Sequence, residues 1–447
     1  MDYTSFTQYI NTIKSQTPEI SYDDFIKNFD DLKLNIKHKE NDTGTLVMFY
    51  NNTFTRSKQS PIEQSCRCTI VEKNTLHIIS AQYNNLLYDD DIIRELKHEN
   101  IKWDNVEIQK SYEGTTILVF NYNDQWYTTT RRCFDANLSK WSSKKTHLEM
   151  FHNAIKDKFT YDDLNKNYYY TFILLNHNDS SIINYSSDDE YTNVIQIQTQ
   201  KKYTHEYVEH DLDVQKSVTV LFKDLDTLLE YIKIDNEYFR QHNKINYEGY
   251  IIKYKKDDSI IHGKIQYDQY KQLTELKNNN QNIDQIYLEL YQKDKLREFL
   301  PYFTKYTKNI TNRISSSMKT LAKEILNIYH QTRNKKNPVL YNNISKCYKQ
   351  HLYNIHGLYI KKNKQNTEHN LEEQKDNSIS IHDVYHYLKN LYPGALRNVF
   401  KSHYEMVQNK ELVEYLNGDC TSLILQNSLM FEFDYKDKDQ VQEQTQE

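Results

Sequence analysis

Residues 1 to about 45 carry apolar side chains at helical spacing, as in FTQYINTIK, and end in a charged stretch, KHKENDTG, that reads as a connection. Runs rich in β-branched and aromatic residues follow, punctuated by Asn and Asp. They are TLVMFYNNTFTR, CRCTIVEKNTLHIISAQY, VEIQKSYEGTTILVFNYNDQWYTTTR, YYYTFILLNHNDSSIINY, NVIQIQTQKKY and NYEGYIIKYKK. Each predicts strands, and ILVF joined to QWYTTT through NYND predicts a hairpin. Short helical patterns intervene near 145–158 and at 222–239. Together these predict an antiparallel-rich α+β domain over 46–275, preceded by a helical segment over 1–45.

From about 268 the pattern changes to long polar helices with Leu, Ile and Tyr stripes, such as QIYLELYQKDKLREFLPYF and RISSSMKTLAKEILNIYHQTR. An all-helical domain over 276–433 is predicted. KKNKQNTEHNLEEQKDNS at 361–378 is nearly devoid of apolar residues and predicts a mobile loop, and 434–447 predicts a disordered tail.

Length agrees with two domains, since 447 residues exceed what one core usually serves. The 39 Tyr and 17 Phe supply area for burial in a chain with only 38% hydrophobic residues. A net charge of -5 excludes a globally basic nucleic-acid binder, so any such contact must be local. Cys66, Cys68, Cys133, Cys347 and Cys420 form no C-x-x-C pair, which argues against a zinc module or a disulfide framework and for a reducing compartment. The start, MDYTSFTQYINTIK, has no apolar core region, and no run approaches the ~20 apolar residues of a membrane span. No membrane partner is expected, and a cytoplasmic, intracellular protein is.

Glycine placement narrows the chemistry. Of seven glycines, two follow a glutamate at the head of a strand pattern: Glu113-Gly114 in KSYEGTTILVF and Glu248-Gly249 in NYEGYIIKYKK. Glycine lets a backbone approach a ligand closely, and an acid beside it suits a ribose or a metal; two turn glycines would read the same way.

The order of these segments resembles the covalent nucleotidyltransferases, specifically the phage type-one RNA ligases and their relatives in large DNA viruses. Lys110-Ser111-Tyr112-Glu113-Gly114-Thr115 resembles the nucleophile motif, Glu248-Gly249-Tyr250-Ile251-Ile252-Lys253 the fourth motif, and Lys264-Ile265-Gln266 with Tyr270 the fifth. Cys66-Arg67-Cys68-Thr69-Ile70-Val71 is similar to the arginine-bearing strand upstream, Thr130-Arg131-Arg132 to the strand after the nucleophile, and TFILLNHNDSSIINY stands at the third motif. LYNIHGLYIKKNK and SISIHDVYHYLKNLYP look like the C-terminal region of the viral members.

The resemblance implies an ATP-grasp-like nucleotidyltransferase (RNA/DNA ligase) fold and ATP-dependent sealing of RNA 5′-phosphate and 3′-hydroxyl ends through lysyl-AMP, as in RNA repair. Lys110 would be the nucleophile, an amine kept partly neutral by neighbouring cations and desolvation. Lys253, Lys264, Arg67 and Arg131 would be those cations, with Lys264 on the α-phosphate. Glu248 would hold Mg²⁺, and Glu113 with Gly114 and Gly249 would line the nucleotide pocket.

Three departures open an alternative. Gly114 lies four positions after Lys110 where the family has three, so strict alignment puts Ser111 at the nucleophile position. One residue of slip turns a strand side chain to the other face unless a bulge absorbs it. Gln266 replaces the second lysine of the fifth motif, and Ile173 and Leu174 stand where the third often has an acid. A degenerate member that binds nucleotide or RNA without ligating satisfies the same residues.

The remaining candidates have plain readings. His356, His382 and His386 could be read as ligands, but His382 and His386 share a helical face and are expected to cap and pack; HEYVEH at 205–210 has the wrong His spacing for a zincin. Trp103, Trp126 and Trp141 read as packing aromatics, and Tyr168-Tyr169-Tyr170 as a strand of alternating burial. KWSSKK at 140–145 and YKQHLYNIHGLYIKK offer Lys, Ser and Tyr for RNA, with a solvated turn and an amphipathic helix as the bland alternatives.

Overall fold

The computed structural model describes residues 5–416, apart from 33, 53–58, 83–85, 99–100, 141–144, 177–180, 187–190, 257–258, 278–282, 303–309, 334, 369–377, 408, 410 and 413. Trp141 and most of the 140–145 run therefore lie outside the described residues, as does the expected tail. The chain divides into two compact units, Met1–Thr274 and Glu275–Glu447. The first is mixed α+β with antiparallel-rich sheets, and the second is helical.

In the first unit α1 (Phe6–Gln16) and α2 (Tyr22–Asp31) precede β1 (Ile36–Glu40), β2 (Leu46–Asn51), α3 (Pro61–Ser65), β3 (Thr69–Glu72) and β4 (Ile78–Ser80). Their four strands form an antiparallel sheet in the order β1-β2-β3-β4. KHKE was expected as a connection. It is instead β1, paired from Ile36↔Asn51 to Glu40↔Val47, because an edge strand can leave its polar side chains in water. Ile36–Glu40 thus belongs to this sheet, while the segment ahead of it is helical. Phe6, Phe25 and Phe29 of the helices pack on Val47 and Phe49 of β2, while Leu46 and Met48 alternate to the opposite side.

That opposite side meets a second sheet. After β5 (Leu86–Tyr88), α4 (Asp90–His98) and β6 (Val106–Ser111) come β7 (Thr115–Tyr122), β8 (Gln125–Thr129), α5 (His147–Ile155), β9 (Tyr168–Asn176), β10 (Thr192–Lys201) and β11 (Gln215–Lys216). The second sheet has the order β11-β10-β9-β7-β8. The β7–β8 hairpin turns on Asn123 and Asp124, both at positive φ, the two-residue geometry that Asn and Asp tolerate. Tyr169 packs toward β2 and Tyr170 toward α5, so both are fully buried. Alternating burial fails there because β9 is central in a sheet covered on both faces.

The third sheet, β5-β13-β12-β6, adds β12 (Gly249–Lys256) and β13 (Ser259–Gln266), with α6 (Leu225–His242) before them and α7 (Asp268–Lys277) after. Phe239 of α6 packs on Tyr267 with ring centroids 4.8 Å apart, and Gly263 leaves room for Ile92 of α4. One face of this sheet is therefore sealed by helices. The other carries the polar residues described below.

The second unit holds α8 (Ile283–Gln292), α9 (Leu296–Phe299), α10 (Ile310–Arg333), α11 (Pro338–Asn343), α12 (Lys346–Glu368), α13 (Ile381–Lys389) and α14 (Pro393–Val407). Ile314, Met318, Leu321, Ile325 and Ile328 form the buried stripe of α10. Helix α12 runs eight residues into the segment expected as a loop at 361–378, since lysines are good helix formers and Lys362 pairs with Asp383 at 2.6 Å. Residues 369–377 lie outside the described residues. His382 and His386 do not cap α13, whose cap is Ser380; both are exposed and pack on each other, with ring centroids 4.2 Å apart and Nε2 to Nε2 3.0 Å. His356 does pack, against Tyr329, with its Nδ1 3.0 Å from the phenol oxygen. Among the described residues no helix is long and apolar enough to cross a membrane.

Candidate functional site

The strand register decides which sequence candidates share a surface. Directly paired residues of antiparallel strands point to the same face, and successive residues alternate. β6 pairs with β12 without a shift, Gly249↔Ser111, Tyr250↔Lys110, Ile251↔Gln109 and Lys253↔Glu107, and β12 pairs with β13 as Ile251↔Lys264 and Lys253↔His262. Ser111, Gln109, Glu107, Lys253, His262 and Lys264 therefore occupy one face.

Lys110 occupies the other. Its ammonium lies 4.8 Å from the centroid of the Tyr247 ring, on the side of Tyr250 and helix α6. Tyr247 in turn donates to Asp235 at 3.2 Å. No bulge interrupts β6, so the expected nucleophile is separated by the sheet from the expected cations Lys253 and Lys264. Ser111 stands where a lysine was expected.

The centre of the open face is Glu248, which is 8% exposed. Its Oε2 accepts from Ser111 Oγ at 2.8 Å and from Lys264 Nζ at 2.5 Å, and its Oε1 accepts from Tyr270 OH at 2.8 Å. Burial and the nearby Glu248 and Glu113 carboxylates push the Tyr270 phenol well above its ordinary pKa, so it stays a donor. Glu248 is placed by its own main chain as well, with its N–H donating to Ser111 O and its carbonyl accepting from Tyr267 N–H.

Glu113 has a different task from the expected one. Its Oε2 accepts the amides of Ile182 and Ile183 at 2.9 and 2.7 Å, and Tyr185 OH donates to its carbonyl at 3.1 Å. It staples the chain beyond β9. The two glycines are likewise accounted for by strand packing. A Cβ on Gly114 would lie 2.5 Å from Leu174 O and 2.6 Å from Ile173 Cγ2, and one on Gly249, whose φ is +150°, would fall on the Ile265 carbonyl oxygen.

Arg67 reaches the same neighbourhood by a detour. Its Nη2 donates to Tyr88 OH at 3.2 Å, and Tyr88 sits beside Lys264 in the parallel β5–β13 register. Arg131 stands near Cys66, where its charge opposes the burial that raises the thiol pKa.

Along the open face from Ser111, a cavity of about 330 Å³ is lined by Glu107, Gln109, Lys253, Gln196 and Gln198, among others. Lys253 is 7% exposed; burial lowers its ammonium pKa, and Glu107 at 4.0 Å works against that. Burial and Lys253 push His262 down to about 3, so its ring is neutral beside Tyr207. β10 shifts register between Gln196 and Gln198, and the Oε1 atoms of both are buried without a hydrogen-bond partner. Sequence reasoning named none of Gln109, Gln196 or Gln198, and met Ser111 only as the residue that strict alignment puts at the nucleophile position. The signal was present: polar residues recur every second position in VEIQKS and in VIQIQTQ.

The carboxylate supply bears on a metal. Among the described residues no group of three His, Cys, Asp or Glu side chains could hold an ion. Glu248 alone suits Mg²⁺ arriving on a nucleotide's phosphates, the usual arrangement for this hard, heavily hydrated cation.

No known family profile matches the chain. A 133-residue stretch, 27% of the chain, is 31% identical to the Immediate-early protein ICP-46 homolog of Invertebrate iridescent virus 3. The match spans 30% of that relative's length. Among solved structures, a putative ATP-dependent DNA ligase from Aquifex aeolicus is similar at a TM-score of 0.38 and 12% identity over 67% of this chain and 80% of that one. An archaeal ATP-dependent RNA ligase is similar in two forms, form 1 and form 2, at TM-scores of 0.40 and 0.39, with 8% identity over 70% of this chain and 82% of the ligase. Likeness this loose transfers neither a residue nor a reaction.

Proposed function

We propose that the first unit binds a nucleotide, ATP by the resemblance of its motifs, and RNA, without forming lysyl-AMP at Lys110. The carrying observation is that Ser111, not Lys110, shares a face with Glu248 and Lys264. Lys264 would meet the α-phosphate, and Glu248 would meet Mg²⁺ brought by the phosphates. The base would enter the cavity beyond Ser111, where its amino group would donate to the buried Gln196 and Gln198 oxygens and a ring nitrogen would accept from Lys253.

One observation favours the active ligase as a second reading. Burial holds the Lys253 ammonium below its ordinary pKa, the condition an amine needs to attack a phosphate. In that reaction the neutral amine forms the P–N bond, pyrophosphate leaves with its electron pair, and the amine's proton is lost.

The test is intact mass after incubation with ATP and Mg²⁺, alongside titration of a fluorescent ATP analogue. Saturable binding with no AMP adduct is expected for the natural chain, and an adduct is expected for Ser111→Lys, which puts an amine beside Glu248. An adduct on the natural chain that vanishes in Lys110→Ala overturns the proposal. An adduct mapped to Lys253 establishes the second reading.

A further inference from the structure

We propose that the exposed face of α12, with the groove beside it, binds single-stranded nucleic acid. The inference stands on the second unit alone, so its failure would leave the nucleotide reading intact.

α12 buries Tyr348, Leu352 and Ile355 on one side. On the other, Lys346, Tyr353, Gly357, Ile360, Lys361 and Lys364 fall along a single exposed line at helical spacing. Tyr353 is 70% exposed and Ile360 44%. An apolar, aromatic middle flanked by ammonium groups is what alternating bases and phosphates need: a face for stacking and charges for the backbone.

Charge singles the helix out. α12 contains five lysines, at 346, 349, 361, 362 and 364, and one glutamate, in a chain whose net charge is -5. Lys362 is paired with Asp383. Such a local excess of positive charge in an acidic chain fits a polyanion.

Gly357 is the second, independent observation. It lies in mid-helix, where glycine is unfavourable, and a Cβ there would meet nothing within 4 Å. Among the described residues, packing therefore gives no reason for it. A bare backbone between Tyr353 and Lys361 permits close approach by a sugar-phosphate chain. Beside this line, a groove of about 510 Å³ between α12 and α13 is lined by Leu358, Lys361, Lys362, Asp383, His386 and Leu391, among others, a largely apolar wall with ammonium and imidazole groups that suits a base and its phosphate.

The experiment measures fluorescence polarisation of labelled dodecauridylate and dodecathymidylate with the full chain at several salt concentrations. Tyr353→Ala should weaken binding on the order of ten-fold, as loss of one stacked base does. The pair Lys361→Glu and Lys364→Glu should also flatten the salt dependence, each phosphate contact contributing about -0.7 to the slope. Gly357→Leu is the discriminating variant, because it should raise the melting midpoint and still weaken binding. Tighter binding of one oligomer assigns RNA or DNA. Absence of binding at low salt, unchanged affinity in Tyr353→Ala and Gly357→Leu, or equal competition by polyglutamate, which would make α12 a dock for acidic protein, overturns the proposal. Unchanged binding of the ATP analogue in these variants separates this outcome from the fate of the nucleotide site.

Discussion

Lys264→Met removes an ammonium that is 16% exposed from a carboxylate that is 11% exposed and 2.5 Å away. Breaking a buried pair costs about 3–5 kcal/mol, mostly because an uncompensated charge is left behind. Glu248 keeps two hydroxyl donors, Ser111 Oγ and Tyr270 OH, both at 2.8 Å. Hydrogen bonds to a charged group are worth about 1.5–3 kcal/mol each, so the loss should fall at the lower end, ~3 kcal/mol. Adding Glu248→Gln removes the stranded charge while preserving an acceptor for the hydroxyls. The double variant should then lose only about 1 kcal/mol, roughly 2 kcal/mol less than Lys264→Met alone, and less than the two single losses added together. Urea unfolding of the first unit with an unchanged m-value would measure this, and binding of the ATP analogue should be abolished in both variants. A loss below about 1 kcal/mol for Lys264→Met, or a double variant as unstable as the sum of its parts, would refute the claim that Lys264 compensates a buried Glu248.

Gly249→Ala should destabilise the first unit by about 2–4 kcal/mol, since its Cβ meets the Ile265 carbonyl and Gln266 Cα lies at 2.8 Å; Gly357→Ala, with open space around it, should stabilise by about 1 kcal/mol. Paired denaturation curves check both, and equal effects would sink the packing argument. Acid should unfold the first unit early, because burial lowers His147 and His205 to about 4 and His262 to about 3 from an ordinary 6.5. Unfolded histidines bind protons that the buried rings refuse, so stability is full above about pH 6.5 and is lost as pH falls toward 4. With three protons taken up, the slope approaches ~4 kcal/mol per pH unit. Unfolding free energies measured between pH 7.5 and 5.5 test this, and His262→Gln should lower the slope by about one proton.

The chain wrote its elements more legibly than its faces. The NYND hairpin follows from two residues that tolerate positive φ, and LFKDLDTLLEYIKI carries its helix in its leucine spacing. β1 was illegible because an edge strand need not be apolar, and the alternation expected of Tyr168-Tyr169-Tyr170 failed because β9 lies between two layers. At the site, the motif spacing singled out Glu248 and Lys264, and the structure brings them into contact, Glu248 just ahead of β12 and Lys264 on the neighbouring β13. Glu113 misled, because a glutamate stapling two amides has the same local sequence as one awaiting a ribose. Ser111 turned on a single residue of phase. Only the regular β6–β12 pairing decides between a bulge that rotates Lys110 inward and a straight strand that presents serine.

The hydroxyl of a serine at that position could itself take the nucleotide only with a general base beside it. Ser111 Oγ donates to Glu248 at 2.8 Å, the arrangement of a nucleophile and its general base. The same oxygen of Glu248, however, accepts from the Lys264 ammonium at 2.5 Å, and Tyr270 holds the other. Both oxygens of Glu248 are thus already engaged, by a cation and two hydroxyl donors, and Ser111 serves to orient the carboxylate. On the proposed reading, the groups that would grip phosphates share a face while the one that would attack them is a serine, and that combination favours binding. Ser111→Lys reverses only the second of these, which makes its adduct the sharpest available measure of how much of the reaction site survives.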